Sequence, residues 1–273
     1  MSIRRTVFFV SDGTAITAGT LGNTLLTQFE GQKFNPTRIP FVDSVERAHD
    51  VVTQINEAAE RDGAMPLIFS TIVDAAVVAV LQESQGEVLD LFTEFVPRIE
   101  KVVGAARSPK VGRAHGISNV SNYENRIEAT NYALSHDDGV SINFDEAEVI
   151  LVGVSRSGKT PTCLYLALHF GVLAANYPLT DDDLESIRLP AFLRRNKHKL
   201  YGLTIDAERL SQIRETRRPG SRYASMSKCR NEIGAAEDLL RAEGVPIVST
   251  THSSVEEIAS RILVDLGLER QHY

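Results

Sequence analysis

One stretch of the sequence, residues 148–170, constrains the fold more than any other part of the chain. It begins with the apolar run 149–152, which is short and rich in β-branched residues, as buried strands are. The residues from Gly153 to Thr160 then match the phosphate-binding loop pattern G-x-x-x-x-G-K-[ST]. Apolar residues recur at helical spacing from Cys163 to Phe170. The stretch therefore predicts a buried strand, a glycine-rich loop and a helix.

This loop suits phosphate groups for a physical reason. Glycines let successive backbone N–H groups point inward, and the N-terminus of the following helix adds positive potential. Lys159 would supply charge for the terminal phosphates, and the Thr160 hydroxyl would bind Mg²⁺. The alternative is a glycine-containing turn that matches by chance, but the flanking strand and helix favour the phosphate site. The predicted nucleotide-binding residues are Gly153, Val154, Ser155, Arg156, Ser157, Gly158, Lys159 and Thr160.

The composition of the 273-residue chain, with 42% hydrophobic and 24% charged residues, is that of a globular protein with one large or two ordinary domains. A net charge of −7 argues against a general nucleic-acid binder. The two cysteines, Cys163 and Cys229, suit a reducing cytosol and provide neither a disulfide framework nor a set of metal ligands. No segment approaches the ~20 apolar residues of a membrane span, and the N-terminal apolar run is too short for a signal peptide. We expect a soluble, cytoplasmic protein.

Strand-like and helix-like segments alternate along the chain, which predicts an α/β fold of two halves with mainly parallel sheets. In the first half the predicted strands are 6–10, 38–42, 66–70 and 88–92, and the predicted helices are 15–29, 45–61 and 73–81. In the second half the predicted strands are 149–152, one within 174–179, 199–205 and 246–250, and the predicted helices include 181–187, 206–214, 226–243 and 255–266. The C-terminal half is therefore expected to be a P-loop kinase-like domain.

Three ranges describe the expected domain organisation. An N-terminal α/β domain covers residues 1–104, and a P-loop nucleotide-binding kinase domain covers residues 145–273. Between them, residues 105–144 form a connecting segment and a helix, because glycine, proline and basic residues without periodicity follow Gly104.

An arginine-rich stretch follows the second half's third strand. Its five arginines are Arg209, Arg214, Arg217, Arg218 and Arg222. Arginine neutralises charge on a transferred phosphoryl group, so Arg217 and Arg218, beside Pro219-Gly220, are candidate catalytic residues on a mobile lid. The alternative is a solvated basic helix end, and the sequence favours neither.

A cluster of polar residues, His136-Asp137-Asp138-Gly139, ends the helix before the loop strand. Asp137 and Asp138 are candidates for metal binding or for the general base that deprotonates a hydroxyl. The alternative, an acidic helix end with a glycine cap, is favoured by composition but weakened because carboxylates are disfavoured at a helix C-terminus.

Two further segments carry weaker signals for anion binding. The turn Ser11-Asp12-Gly13-Thr14 leads from the first strand into a helix, and the segment Gly112-Arg113-Ala114-His115-Gly116 combines small and cationic residues. Each is by default only a connecting loop.

With the loop and its flank reading GVSRSGKTPT from Gly153 to Thr162, the chain resembles the bacterial phosphoenolpyruvate synthase regulatory proteins. The stretches 174–179, 136–139 and 11–14 also fit that family, and the resemblance spans essentially the whole chain. It implies a bifunctional enzyme. One activity is an ADP-dependent kinase that phosphorylates a threonine of phosphoenolpyruvate synthase, and the other is a phosphorylase that uses inorganic phosphate and releases pyrophosphate.

A sister branch of the family acts on pyruvate, phosphate dikinase and typically carries serine at the position of Gly158, so the glycine favours the synthase branch. The resemblance implies ADP and inorganic phosphate as substrates, and the loop residue Thr160 adds Mg²⁺. The net charge and the lack of a long apolar segment predict a cytoplasmic protein with no nucleic-acid or membrane partner. The sequence leaves a homodimer open.

Two readings from other classes remain open. A small-molecule P-loop kinase could use the arginine stretch as its lid, although such an enzyme would not need the first α/β half. A non-catalytic nucleotide-sensing partner of a metabolic enzyme would bind ADP and transfer nothing.

Overall fold

The computed structural model of the protein describes residues 4–107 and 120–268. These residues belong to two compact units, Met1–Gly116 and Ile117–Tyr273. Each unit contains one four-stranded parallel sheet together with helices. The predicted α/β fold with two halves and parallel sheets is therefore confirmed.

The first unit alternates strands and helices along the chain. Its elements are β1 (Arg4–Ser11), α1 (Ile16–Leu26), β2 (Lys33–Ile39), α2 (Val45–Asp62), β3 (Leu67–Thr71), α3 (Ala75–Leu81), β4 (Glu87–Asp90) and α4 (Leu91–Val103). The sheet order is β2-β1-β3-β4, with all neighbours parallel. One face packs against α1 through Phe9 and Phe69, and the other packs against α2 and α3 through Phe8 and Ile68. Because successive strand residues face opposite sides, the apolar run of β1 supplies both cores.

The bounds of all four strands differ from the predicted ranges, and the differences at β2 and β4 have a physical cause. β2 (Lys33–Ile39) begins five residues before the predicted range 38–42 and ends three residues before the end of that range, and Pro36 lies within β2. A proline argues against a central strand, but β2 is the edge of its sheet, where a missing N–H is tolerated. β4 ends at Asp90 because the Asp90 carboxylate accepts a hydrogen bond of 2.7 Å from the Thr93 N–H and caps α4. Leu91, predicted as strand, is therefore helical.

The second unit repeats the alternation after an additional helix. Its elements are α5 (Val120–Ser135), β5 (Val149–Gly153), α6 (Lys159–Phe170), β6 (Ala174–Pro178), α7 (Asp181–Ser186), α8 (Ala191–Arg195), β7 (Leu200–Thr204), α9 (Ala207–Arg217), α10 (Met226–Ala242), β8 (Ile247–Ser249) and α11 (Val255–Leu266). The sheet order is β6-β5-β7-β8, again all parallel.

Both faces of the second sheet are covered. Leu151 belongs to a core with residues of α5, α6 and α11, and Ile150 belongs to a core with residues of α9 and α10. The helix α5, which the sequence assigns to the connecting segment, packs against α6 within this unit. The helix α9 continues three residues beyond its predicted end at Arg214, so Arg217 is its last residue.

Across residues 4–107 and 120–268, the structure contains no helix that is both long enough and apolar enough to cross a membrane.

Candidate functional site

The glycine-rich loop lies at the point where the strand order of the second sheet reverses. The strand β5 has β6 on one side and β7 on the other. The chain therefore adds β6 on one side of β5 and its later strands on the opposite side. In parallel α/β sheets, ligands bind at this position, outside the carboxyl ends of the strands. The loop 154–158 leaves the carboxyl end of β5 and leads directly into α6.

Two glycines are needed to build this loop. Gly153 has a φ of 157°, and a Cβ atom there would lie 2.2 Å from the carbonyl oxygen of Leu203 in β7. Gly158 has a φ of 90° and is the N-cap of α6. The nearest atom to a Cβ at Gly158 would be 3.7 Å away, on Thr250, so conformation rather than space favours glycine at this position. The predicted strand, loop and helix are all present.

Lys159 is a charged side chain held inside the loop. It is 4% exposed, and its Nζ donates hydrogen bonds to the carbonyl oxygens of Gly153 (3.2 Å) and Val154 (3.0 Å). Burial lowers the pKa of Lys159 to about 8, partly opposed by the negative charges of Asp138 and Asp137. The ammonium therefore lies among loop carbonyls, next to the N-terminus of α6.

Asp137 is brought to the loop by the turn that follows α5. The Thr160 hydroxyl donates a hydrogen bond of 2.7 Å to Asp137 Oδ1, and the Asn176 side-chain amide donates to the same oxygen. Asn176 is fully buried in β6. A carboxylate predicted as a ligand or base therefore lies against the hydroxyl predicted to bind Mg²⁺, although 23 residues separate the two in sequence.

Asp138 takes a different position in the same turn. Its backbone N–H donates to Asn176 Oδ1 at 3.1 Å, and the chain turns through left-handed conformations at Asp138 (φ 48°) and Gly139 (φ 74°). The Asp138 side chain is exposed. Asp138 acts on the site through its charge, which raises the pKa of Lys159.

The predicted catalytic arginines are at the far end of α9. Arg217 is the last residue of that helix and Arg218 is its C-cap, and both are exposed. Within the described parts of the chain, neither side chain has an ion-pair partner. A surface depression of about 430 Å³ is lined by Arg209, Gln212, Ile213, Thr216 and Arg217.

Arg214 is the arginine of this stretch that contacts the loop. It is fully buried, and its Nη2 donates to the carbonyl oxygen of Ser155 (3.1 Å) and to Glu232 Oε2 (2.7 Å). Its Nη1 donates to the Tyr223 carbonyl oxygen at 3.1 Å, and the guanidinium lies 4.0 Å from the centre of the Tyr223 ring. The Tyr223 hydroxyl donates to Ser155 Oγ at 3.0 Å.

Sequence reasoning assigned no individual role to three residues of this site, although Arg214 belongs to the arginine-rich stretch and Asn176 to the stretch 174–179. Asn176 has a signal in sequence, because it is a polar residue within an otherwise apolar predicted strand. Arg214 has a weaker one, since it lies four residues after Leu210 and so on the buried face of α9. Tyr223 has none, because its contact with Ser155 joins residues 68 positions apart.

Of the two weaker predicted anion sites, only the first falls in the described part of the chain. In the Ser11–Thr14 turn, Asp12 Oδ2 accepts a hydrogen bond of 2.8 Å from the Val73 N–H, and Gly13 N–H donates to Ser11 Oγ at 3.0 Å. The Asp12 carboxylate is thus engaged in joining two loops. The segment Gly112–Gly116 lies outside the described residues.

The side chains at the loop fit a nucleotide phosphate and a magnesium ion. Thr160 and Asp137 offer oxygen atoms, which Mg²⁺ prefers, and phosphate oxygens supply further ligands in nucleotide sites. The buried Ser157 hydroxyl has no hydrogen-bond partner in the described structure, which leaves a polar atom available at the loop. No cluster of three or more His, Cys, Asp or Glu residues suited to a metal occurs in residues 4–107 and 120–268. The two side-chain oxygens of Thr160 and Asp137 would leave the remaining positions around Mg²⁺ to phosphate oxygens and water.

Comparison with known families matches residues 7–263 to the model of a family described as kinase/pyrophosphorylase. A protein of Stenotrophomonas maltophilia (strain R551-3) is 52% identical over 273 residues, which is 100% of both chains. Proteins of S. maltophilia (strain K279a) and Xanthomonas oryzae pv. oryzae (strain MAFF 311018) are each 51% identical over the same full lengths. All three relatives carry the name "Putative phosphoenolpyruvate synthase regulatory protein".

Proposed function

This chain belongs to the kinase/pyrophosphorylase family, and on that basis we propose that it both inactivates and reactivates phosphoenolpyruvate synthase. The forward activity is an ADP-dependent threonine kinase. The reverse activity is a phosphorylase that consumes inorganic phosphate and releases pyrophosphate. The observation that carries the proposal is the buried Lys159 inside a glycine loop at the sheet's switch point, with Thr160 against Asp137.

In the forward reaction, the hydroxyl oxygen of the target threonine attacks the β-phosphorus of ADP. The bond between that phosphorus and the bridging oxygen breaks, and AMP leaves with the bonding electron pair. The threonine proton passes to a carboxylate. Asp138 is our candidate acceptor because its side chain is exposed, whereas the Asp137 carboxylate is engaged by Thr160 and Asn176.

In the reverse reaction, an oxygen of inorganic phosphate attacks the phosphorus of phosphothreonine. The threonine oxygen leaves and takes a proton, and the products are pyrophosphate and the restored hydroxyl. Both reactions need positioned phosphates and neutralised charge more than covalent catalysis, so one loop serves both. Lys159 would exchange its loop carbonyls for phosphate oxygens in each direction.

Magnesium, when bound, would reduce the negative charge of the phosphate oxygens, and Thr160 and Asp137 would hold it. The backbone N–H groups of the loop and of the first turn of α6 would bind phosphate. Arg217 and Arg218 would reach the reacting phosphate or the protein substrate from the end of α9. We also propose a cytoplasmic location, supported by two buried cysteines that form no disulfide.

The test is incubation with purified phosphoenolpyruvate synthase and either β-labelled ADP or γ-labelled ATP, followed by phosphopeptide mapping. We expect label from ADP on one threonine, and release of labelled pyrophosphate when inorganic phosphate is then added. Transfer only to pyruvate, phosphate dikinase would reassign the target. Transfer from ATP to a small molecule would support the small-molecule kinase instead, and ADP binding without transfer would support a nucleotide sensor.

A further inference from the structure

Arg214 differs in its surroundings from the other arginines of α9 and its C-cap. Arg209, Arg217 and Arg218 are exposed, whereas Arg214 is completely buried. A buried charge is costly unless it is paired and hydrogen-bonded. Arg214 is paired with Glu232 through Nη2, whereas its buried Nε has no hydrogen-bond partner among the described residues. Glu232 is itself bridged to Lys228, 3.2 Å away. The chain therefore retains a charged group in its interior at a position where it contacts the loop.

The contacts of this cluster converge on a single loop residue, Ser155. Arg214 binds the main-chain carbonyl of Ser155, and the Tyr223 hydroxyl binds its side-chain oxygen. The stacking of the guanidinium on the Tyr223 ring fixes the two groups relative to each other. Both the backbone and the side chain of Ser155 are thus held from one side.

Holding Ser155 also fixes the direction of the next backbone donor. The peptide group is planar and trans, so the N–H of Arg156 points away from the carbonyl that faces Arg214. Arg156 has a φ of 76°, a conformation that residues other than glycine keep only when surrounding contacts hold it. The cluster therefore supports a loop shape that the chain would not adopt by itself.

We propose that Arg214 and Tyr223 are positioning residues that hold the phosphate loop in its binding shape, through Ser155, before the nucleotide arrives. A preformed loop binds phosphate without first paying the entropy of ordering its backbone. Removing the support should then weaken the binding of ADP and of inorganic phosphate together, because both use the same loop. This role rests on the proposed function of the loop.

The experiment removes one hydroxyl at a time. Replacing Arg214 would leave Glu232 without its buried partner and endanger folding, so the main variant is Tyr223→Phe, which keeps the ring stacked on Arg214. Ser155→Ala removes the other side of the same hydrogen bond. Tyr201→Phe is the matched control, since the Tyr201 hydroxyl donates to Asp265 in the same unit and has no contact with Ser155.

Calorimetric titration with ADP, in the presence of Mg²⁺, should show threefold to tenfold weaker binding for Tyr223→Phe and for Ser155→Ala, the effect of one hydrogen bond. The double variant should lose no more than the weaker-binding single variant, because both changes break the same bond. Steady-state kinetics should show KM rising for ADP and for inorganic phosphate, with kcat changing less. Tyr201→Phe should lower Tm and leave the affinity unchanged. Wild-type affinity in Tyr223→Phe, with only a lowered Tm, would overturn the proposal.

Hydrogen exchange measured without ligand tests the positioning role of Tyr223 independently of the proposed nucleotide binding. Backbone amides of the loop 154–158 should exchange with solvent faster in Tyr223→Phe than in the wild type or in Tyr201→Phe. Unchanged exchange would refute the positioning role even if ADP binds. A wild-type protein that binds no ADP, but whose Tyr223→Phe variant shows the faster exchange, would refute the proposed function and retain the support of the loop.

Discussion

The two units of this protein have the same sheet topology, but the loop that follows the first strand carries different residues in each unit. In each sheet the first strand in the chain is central, the second lies beside it at one edge, and the third and fourth follow on the other side. The loops after β1 and β5 therefore leave their sheets at equivalent switch points. The first loop carries Asp12, whose carboxylate accepts the Val73 N–H. The second carries a buried lysine, Lys159, at the start of its helix.

This difference is the reason why we place the proposed phosphate chemistry in the second unit. The sheet order fixes where a loop lies, and the residues of that loop decide what it can bind. In the first unit, the Asp12 carboxylate links two loops through its hydrogen bond with Val73, so this side chain has a structural role. In the second, two glycines and Lys159 produce a concentration of N–H groups and positive charge suited to phosphate.

The largest effect should come from Lys159→Ala. We expect the kinase and the phosphorolysis rates to fall together by about 10²–10³-fold, the usual loss when a preorganised charge partner of a transition state is removed. Asp12→Ala in the equivalent loop of the first unit is the control and should keep both rates. Loss of the kinase alone would show that the two activities use separate sites, and an inactive Asp12→Ala would make the first unit the reacting one.

Two glycine substitutions test whether the loops differ in packing as well as in charge. Gly153→Ala should lower the free energy of unfolding by roughly 3 kcal/mol, because the new Cβ would lie 2.2 Å from the Leu203 carbonyl oxygen. Gly13→Ala should change it by less than about 0.5 kcal/mol, since the nearest atom is Ser11 Oγ at 3.8 Å. Urea denaturation of both variants measures the two values. Equal losses would contradict the assignment of close packing to the second loop alone.

Asp137→Asn tests the turn that precedes β5, for which the first unit has no counterpart in the described chain. The amide removes the charge that faces Thr160, so we expect kcat to fall about 10- to 100-fold and the Mg²⁺ requirement to rise. Asp138→Asn should lower kcat with less effect on the Mg²⁺ requirement. Kinase rates measured over a Mg²⁺ titration distinguish these outcomes. If both variants keep full rates, this turn has no catalytic role and Asp12 becomes the next candidate.

The pKa of Lys159, lowered to about 8 by burial, gives a pH prediction. Phosphate binding needs the charged ammonium, so kcat/KM for ADP should fall about tenfold per pH unit above pH 8. Lys159→Arg stays charged and should lose this dependence. Folding stability should change in the opposite direction. Between pH 8 and 10.5 the lysine is protonated in the unfolded chain and largely deprotonated in the folded one. The free energy of unfolding of the wild type should therefore rise with pH, relative to that of Lys159→Met. A flat pH profile for the wild type would show that the lysine charge is not needed.

The smallest effects are expected at the exposed arginines. If Arg217 and Arg218 neutralise transition-state charge, their alanine variants should lose kcat severalfold while ADP affinity changes little. If they only dock the protein substrate, KM for the synthase should rise, depend more on salt, and leave kcat intact. Both parameters are measured at two ionic strengths. Variants that match the wild type under all conditions would show that Arg217 and Arg218 have neither role and are only solvated surface residues.

Local patterns allowed much of the fold to be predicted, because a strand, a glycine loop and a helix follow from neighbouring residues. The prediction was wrong where context outweighed local preference. β2 contains Pro36, which only an edge strand tolerates, and Leu91 continues the apolar run of the predicted strand but follows the capping residue Asp90. In the site, Lys159 was found by motif, whereas Tyr223 was missed because only tertiary folding brings it to Ser155.

Hydrogen exchange on the wild-type protein, with and without ADP and Mg²⁺, tests the central contrast between the two units most directly. We predict slower exchange of the backbone amides in 153–160 when ADP is bound, and no change in 11–15, because the second loop leads into the buried Lys159 whereas the first carries a carboxylate already engaged by Val73. Protection of residues 11–15 with none at 153–160 would contradict the account and assign the nucleotide to the first unit.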